Sequence, residues 1–190
     1  MTTDDVRKLQ FDLQLIYEWT VFNNMELNDI KFEVLRYGLD EYIKIHTEYT
    51  TPTGKTITTK DSVKDLGVFM SSDCLFKQQI NTIVDKARNL ISWILRTFKS
   101  RDFVTMITLY KSLVIPILEY CSVLWSPNNT GSIQQLESIQ WSFLRKIRGN
   151  NTKNYWDCLK HLKIYSLQRR RERYRIIYTW KILDFFSQRK

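Results

Sequence analysis

The sequence predicts an α+β chain that is mostly α: a short piece of helix and small antiparallel strands, then a helical bundle, then basic helices. Three observations lead there. Only 5 Gly and 3 Pro occur in 190 residues, so few positions are set aside for turns. Apolar residues recur at helical spacing from residue 73 onward, whereas short alternating runs bounded by Gly and Pro are confined to 32–70. Hydrophobic residues make up 43% and charged residues 26%, the balance of a chain that buries a core rather than staying disordered.

The first element is helical by period. In "DDVRKLQFDLQLIYEWTVFNN", Val6, Leu9, Leu13, Ile16 and Thr20 trace one face, which Leu15, Trp19 and Phe22 widen. Asp4 and Asp5 stand at its start, where carboxylates cap free amides and meet the positive end of the helix dipole; Asn23-Asn24 closes it. Phe32, Val34 and Arg36 alternate with Glu33, Leu35 and Tyr37, which predicts one strand ended by Gly38. Two more short strands are expected around the turn Pro52-Thr53-Gly54, and a further one over 63–70, "VKDLGVFM". Gly67 weakens that last strand unless a bulge, a turn or the close approach of another backbone requires it.

The period then becomes helical and stays so. Ile80, Ile83, Val84, Ala87, Ile91, Ile94, Leu95 and Phe98 keep one face for about five turns. Asp102 is placed to cap the next helix, whose apolar face takes Phe103, Ile107, Tyr110, Val114, Leu118 and Cys121. Pro116 inside it must kink or restart the helix, because its ring removes an N–H and crowds the preceding turn. After "SPNNTG", Ser132 and Gln135 form a candidate capping box for a helix with Ile133, Leu136, Ile139, Phe143, Leu144 and Ile147 inward, stopped at Gly149. A short helix around 156–161 and a final one from Ser166 complete the chain.

Charge is segregated. Residues 141–190 hold 14 Lys and Arg against 3 Asp and Glu, a net of +11, while 1–140 hold 15 against 17, a net of −2. Concentrated cations suit a polyanion, because Lys and Arg bind phosphates by releasing condensed counterions; the alternative is a solvated basic face. No charged-then-apolar leader follows Met1. The most apolar run, 109–125, is interrupted by Lys111, Pro116 and Glu119 and reads as a buried helix rather than a membrane span. Three widely spaced cysteines, Cys74, Cys121 and Cys158, form no disulfide framework. An intracellular chain, nuclear or cytoplasmic, is expected.

Self-contained enzyme chemistry is short of parts. Cys158 and His161 are spaced like half of a zinc site, but no second pair accompanies them, and His46 lies far away in sequence. No G-x-S-x-G elbow, G-x-G-x-x-G or phosphate-binding Gly-rich loop occurs.

What remains is an ordered series: "LQFDLQLIYEW", "NNMELNDIKFEVLRYG", "SVKDLGVFMSSDCLFKQQINTIVDKA" and "LYKSLVIPILEYCSVLW". It resembles reverse transcriptases of non-LTR retrotransposons of the jockey-like type, in the part that follows the catalytic centre. Each motif alone is weak; four in order, followed by helical periodicity, are specific. The resemblance runs to about Gly149 and more loosely through "LKIYSLQRRRERY". It implies a palm remnant with a primer-grip strand over 1–71, a helical thumb over 72–149 and a basic helical extension over 150–190. It also implies that residues 1–70 are poorly stable by themselves, their strands pairing with the rest of the palm.

The resemblance assigns roles residue by residue. Asn28 and Lys31 in "LNDIK" match a palm motif whose lysine lies near the incoming nucleotide and stabilises or protonates the leaving pyrophosphate. The other reading of Lys31 is an exposed strand lysine. Leu66 and Gly67 match the primer grip, where the backbone approaches the primer 3′ end. The thumb helices track a template–primer duplex through its phosphates, with Lys77, Lys86, Arg88, Arg145, Arg148, Arg169, Arg170, Arg171 and Arg173 as candidate contacts. In "RRRERYRIIYTW" the aromatics, on the face of Leu167, Tyr174, Tyr178 and Phe185, are expected in the core and the arginines outside.

One departure bears on activity. Such a polymerase holds two Mg²⁺ ions with aspartates on neighbouring palm strands, one in a Tyr/Phe-x-Asp-Asp turn. Asp4-Asp5 is the only tempting match, and "LQ" follows it at once with no strand on either side. No cofactor is therefore expected in this chain, no metal ligands, and no polymerase activity by the chain alone. Its partners are expected to be an RNA–DNA hybrid or template–primer and the remainder of the polymerase. The alternatives are a non-catalytic nucleic-acid-binding helical protein derived from a retroelement, a decayed relic, or a partner-binding helical adaptor.

Overall fold

The computed structural model describes residues 3–38, 47–147, 150 and 154–188. The fold is α+β and mostly helical, in two compact units, Met1–Cys74 and Leu75–Lys190. Residues from 150 onward, set apart by charge, belong to the same unit as the helices before them.

In the first unit, α1 (Thr3–Phe22) opens with Asp4 and Asp5 in its first turn. It closes where expected: Asn24 takes φ 54, the Asn23 amide donates to Trp19 O (3.1 Å) and the Met25 amide to Thr20 O (2.8 Å). The expected inward face is mostly uncovered. Thr20 is buried, but Leu9 is 48%, Ile16 55% and Trp19 59% exposed. Gln10 ties the helix to the next segment, donating to Thr50 O (2.8 Å) and accepting from Thr50 N (3.0 Å), as a neighbouring strand would.

The strands depart from expectation in pairing. A 3-10 turn, Asp29–Lys31, leads to β1 (Glu33–Leu35), which pairs parallel with β2 (Thr58–Lys60). An antiparallel arrangement was the expectation, but the long connection between these two allows a crossover. The turn at 51–54 forms, with Gly54 at φ 85 and its amide on Thr51 O (2.8 Å), but its arms meet only at a Thr50–Thr56 bridge.

The segment 63–70 is not one strand. It is a hairpin, β3 (Ser62–Asp65) antiparallel to β4 (Val68–Ser71), with Asp65 opposite Val68. Leu66 and Gly67 are its two-residue turn, at φ 44 and 86. Both central residues with positive φ make this the primed turn that matches strand twist, which explains the glycine. Leu66 is an unusual occupant there, since a left-handed L-residue costs about 1–2 kcal/mol, and it stands 85% exposed at the tip. Leu66→Asn is therefore expected to stabilise the hairpin by about 0.5–1 kcal/mol, read from denaturant midpoints. A loss of stability would show that the leucine is held there by packing.

In the second unit, α2 (Lys77–Thr97) buries Ile80, Ile83, Val84, Ala87, Ile91 and Ile94, the stripe its period predicts. Asp102 caps α3 (Phe103–Leu109), its Oδ2 accepting from Thr105 N at 2.9 Å. That bond, with one from Ser100, holds its carboxyl below the usual aspartate range. Met106, Ile107, Tyr110, Val114 and Leu118 are buried, while Phe103 and Cys121 are exposed. Pro116 is accommodated by a π-helical turn over Tyr110–Val114; the wider turn precedes α4 (Ile115–Glu119), which carries the proline at its start.

After α5 (Ser122–Trp125), α6 (Thr130–Leu144) starts earlier than expected. Its cap is Asn129, whose Oδ1 accepts from Ser132 N at 2.7 Å, so Ser132 is inside the helix and not its cap. Gln135, the other member of the expected capping box, instead donates to Asn81 on α2 (3.1 Å). The helix ends at Leu144; Gly149, the expected stop, lies outside the described residues. Asn154 caps α7 (Tyr155–Leu162), and Ser166 caps α8 (Leu167–Ser187). The core joins the inner faces of α2–α6 with Leu159, Leu162 and Leu167. Among the described residues no helix is long and apolar enough to cross a membrane.

Candidate nucleic-acid interface

The basic helix α8 is docked by a polar cluster rather than by apolar contact alone. Glu137 on α6 accepts from the backbone amides of Leu167 (3.2 Å) and Gln168 (2.7 Å), a carboxylate set at a helix start. Tyr155 donates its hydroxyl to the same carboxylate. Gln140, 0% exposed, accepts from Tyr110 Oη (2.6 Å) and donates to Tyr155 Oη (2.9 Å) and Tyr165 O (3.1 Å). Burial, and then the Glu137 charge, push both tyrosines well above the usual phenol range, so both remain donors.

The structure sorts the arginine run into two kinds. Arg170 faces inward: its Nε and Nη2 reach both oxygens of Glu119, the latter at 2.8 Å, and Nη2 also donates to Tyr174 Oη (3.0 Å). Its hydrogen bond to Glu119 raises its pKa against the cost of burial. Arg171 is 3% exposed, lies 5.2 Å from the Trp125 ring centroid and donates from Nη2 to Leu118 O at 3.0 Å. Burial holds its guanidinium below the ordinary arginine range, with Glu137 and Glu119 acting the other way. Both were candidate phosphate contacts. Instead they fasten the helix, because a guanidinium fork can satisfy a carboxylate or carbonyl in the interior where lysine cannot.

Arg169 and Arg173 are exposed and line, with Tyr165, Arg170 and Tyr174, a cleft of about 200 Å³. Arg169 stacks on Tyr165, Cζ to ring centroid 4.7 Å, and Arg170 on Tyr174 at 5.9 Å. Among the described residues no carboxylate lines the cleft. It offers two outward guanidinium groups, that of Arg169 held on the Tyr165 face, a surface suited to phosphates with stacking beside them. Tyr165 went unnoticed in the sequence, although its spacing of four from Arg169 was the available signal.

The aromatics of the distal half of α8 reverse the expectation. Tyr178 is 54%, Trp180 63% and Phe185 50% exposed, so they lie outside the core while Arg171 lies within it.

The other candidates are scattered. Lys77, Lys86 and Arg88 are exposed on α2; at 3.6 residues per turn Lys77 and Arg88 share a flank, and Lys86 falls on the other side. Arg88 is 3.9 Å from Asp85, and Arg145 is exposed with its guanidinium 5.3 Å from the Trp141 ring centroid. Arg148 lies outside the described residues. In the first unit, Lys31 ends an exposed 3-10 turn capped by Asn28 rather than standing in a strand, and Leu66-Gly67 form the hairpin tip.

Among the described residues no three His, Cys, Asp or Glu side chains gather closely enough to hold a metal ion. Cys158 is buried and accepts from Asn150 Nδ2 (3.0 Å), while His161, one turn on, is exposed; His46 lies outside the described residues. Asp4 and Asp5 are exposed in a helical first turn, not on adjoining strands, and do not fit a two-metal site. Comparison of this chain with protein-family models, with curated proteins and with solved structures returns no match.

Proposed function

We propose that the chain is the palm end and thumb of a reverse transcriptase of the non-LTR, jockey-like retrotransposon type, and that its work is to hold nucleic acid. The observation that carries this reading is the cleft on α8. Within a segment of net charge +11, Arg169 and Arg173 turn outward beside two tyrosines with no carboxylate among the described lining residues. The ordered motifs of the sequence support the origin. Phosphate contact by such groups is blind to sequence, as template–primer binding requires.

On this reading the hairpin tip serves as the primer grip. Its turn leaves a leucine 85% exposed in a costly backbone conformation, which agrees with a contact made outside the chain. Lys31, exposed, is free to reach a leaving pyrophosphate once the rest of a palm is present. The partners are template–primer and the remainder of the polymerase, in the nucleus or cytoplasm.

The purified chain is expected to shift an RNA–DNA hybrid in a gel, with log affinity falling against log salt at a slope of about −3 or steeper, and to extend no primer. Binding that is absent or indifferent to salt would sink the reading in favour of an adaptor or a relic. Primer extension above background would show that a metal-binding carboxylate pair had been missed.

A further inference from the structure

Past the cleft, α8 changes character. Every residue from Ile176 to Gln188 is exposed, and eight of those between 176 and 186 are large and apolar. At 3.6 residues per turn Ile176, Thr179, Leu183 and Phe186 fall in one line, at the 3-4-3 spacing of a helix–helix seam, and Lys181 falls opposite them. Trp180 flanks this line, and an open groove of about 650 Å³ runs along it, lined by Glu172, Arg175, Ile176, Thr179, Trp180 and Leu183. Ile176, Trp180, Leu183 and Phe186 are each 61–70% exposed. A helix that is apolar around most of its circumference is ordinarily buried against another surface.

Area and charge select that surface. A whole aromatic side chain covers about 150–250 Å², so the eight apolar groups together leave on the order of 1,000 Å² open, beyond the roughly 300–600 Å² of the largest patch on an ordinary monomer. The seam and its flanks are about half of this. Two copies joined there bury about 1,000 Å² in all, the least that a specific interface takes, so the association belongs in the micromolar range. From 176 to 188 the charges are Lys181 and Asp184 alone, a net of zero. Two copies therefore meet without repulsion, whereas a helix that lies on an anionic membrane carries an excess of cations beside its apolar face. Arg173 and Arg175 stand at one end of the segment and Asp184 near the other. Antiparallel pairing sets the acidic end of one copy beside the basic end of the next, while parallel pairing sets like against like.

We infer that the distal half of α8 is a self-association surface, on which a second copy of this chain lays the same helix face antiparallel about a two-fold axis. Such an interface uses one patch twice, and a single apolar seam suffices for both sides. The inference goes beyond the nucleic-acid reading and does not depend on it, because the seam lies further along the helix than Arg169 and Arg173.

Sedimentation equilibrium of the purified chain, freed of nucleic acid, tests it. Between about 1 and 100 μM the weight-average mass is expected to rise from one chain, 22.9 kDa, toward twice that value. Leu183→Glu, at an exposed position, is expected to keep the chain monomeric with its helical circular dichroism unchanged. Lys181→Gln, opposite the seam, should alter the association by less than about twofold. Asp184→Lys should weaken it about threefold or more, and a tighter dimer in that variant would overturn the antiparallel arrangement. A chain that stays monomeric throughout, or a dimer indifferent to Leu183→Glu, would overturn the inference and leave the nucleic-acid reading untouched. A monomer that floats with phosphatidylcholine vesicles, and ceases to do so with Leu183→Glu, would overturn it in favour of a lipid surface.

Discussion

Arg170→Ala and Arg171→Ala are each expected to destabilise the second unit by about 3–5 kcal/mol, and Arg169→Ala with Arg173→Ala by less than about 0.5 kcal/mol. The four residues are near neighbours in sequence and differ only in where the helix turns them. Removing Arg170 strands Glu119, whose side chain is 9% exposed, without its bidentate partner. Removing Arg171 deletes a donor to Leu118 O and the cation over Trp125, and leaves a void in the core. Loss of nucleic-acid binding on replacing all four together therefore says little about contact, because unfolding gives the same result.

The informative variant is the pair Arg169→Ala and Arg173→Ala. It should keep the parent's denaturant midpoint, lose about tenfold or more in hybrid affinity, and flatten the salt slope by about two, one for each cation. Unchanged affinity in this pair would exclude the α8 cleft as the contact surface. A large drop in its stability would show that the outward arginines are structural as well.

Gln140→Leu is expected to lower the unfolding free energy by about 2–4 kcal/mol. Leucine fills much of the same volume, so the cost comes from the partners it abandons. Tyr110 is 0% exposed and loses the acceptor of its hydroxyl; Tyr155 loses one of two partners, keeping Glu137; the Tyr165 carbonyl loses its donor. A buried unsatisfied group costs more than the bond it once made contributed, which also supplies the control. Tyr110→Phe combined with Gln140→Leu removes both ends of the fully buried Tyr110–Gln140 bond and should recover a measurable part of the loss. If the double variant is no more stable than Gln140→Leu alone, the hydroxyl is not the source of the cost. Urea titration followed by tryptophan fluorescence reads both variants.

Most of the second unit was legible because it follows from local rules. The stripe on α2 needs only a period of 3.6, and the Asp102 cap needs only a side chain able to reach an amide three residues on. The three-residue error in capping, Asn129 against Ser132, arises because "SPNNTGS" offers several side chains able to cap. The turn at Leu66-Gly67, open as an alternative for Gly67, was passed over for a sharper reason. Leucine is not a residue that a primed turn prefers, so an unbroken strand was the natural reading of "VKDLGVFM".

The candidate site divides the same way. That the end of the chain is cationic, helical and interspersed with aromatics is a property of the sequence, because charge and period are additive and need no partner. Which arginine turns outward is not. It depends on Glu119, Leu118 and Trp125, more than forty residues earlier, arriving beside the first turns of α8, with Glu137 and Gln140 on α6 holding that helix in place. The sequence by itself determined that the cations exist and lie together on one helix. Only the tertiary structure decided that Arg170 and Arg171 serve the fold while Arg169 and Arg173 face the solvent. A guanidinium's role is set by the acceptors brought within its reach, and those come from other parts of the chain.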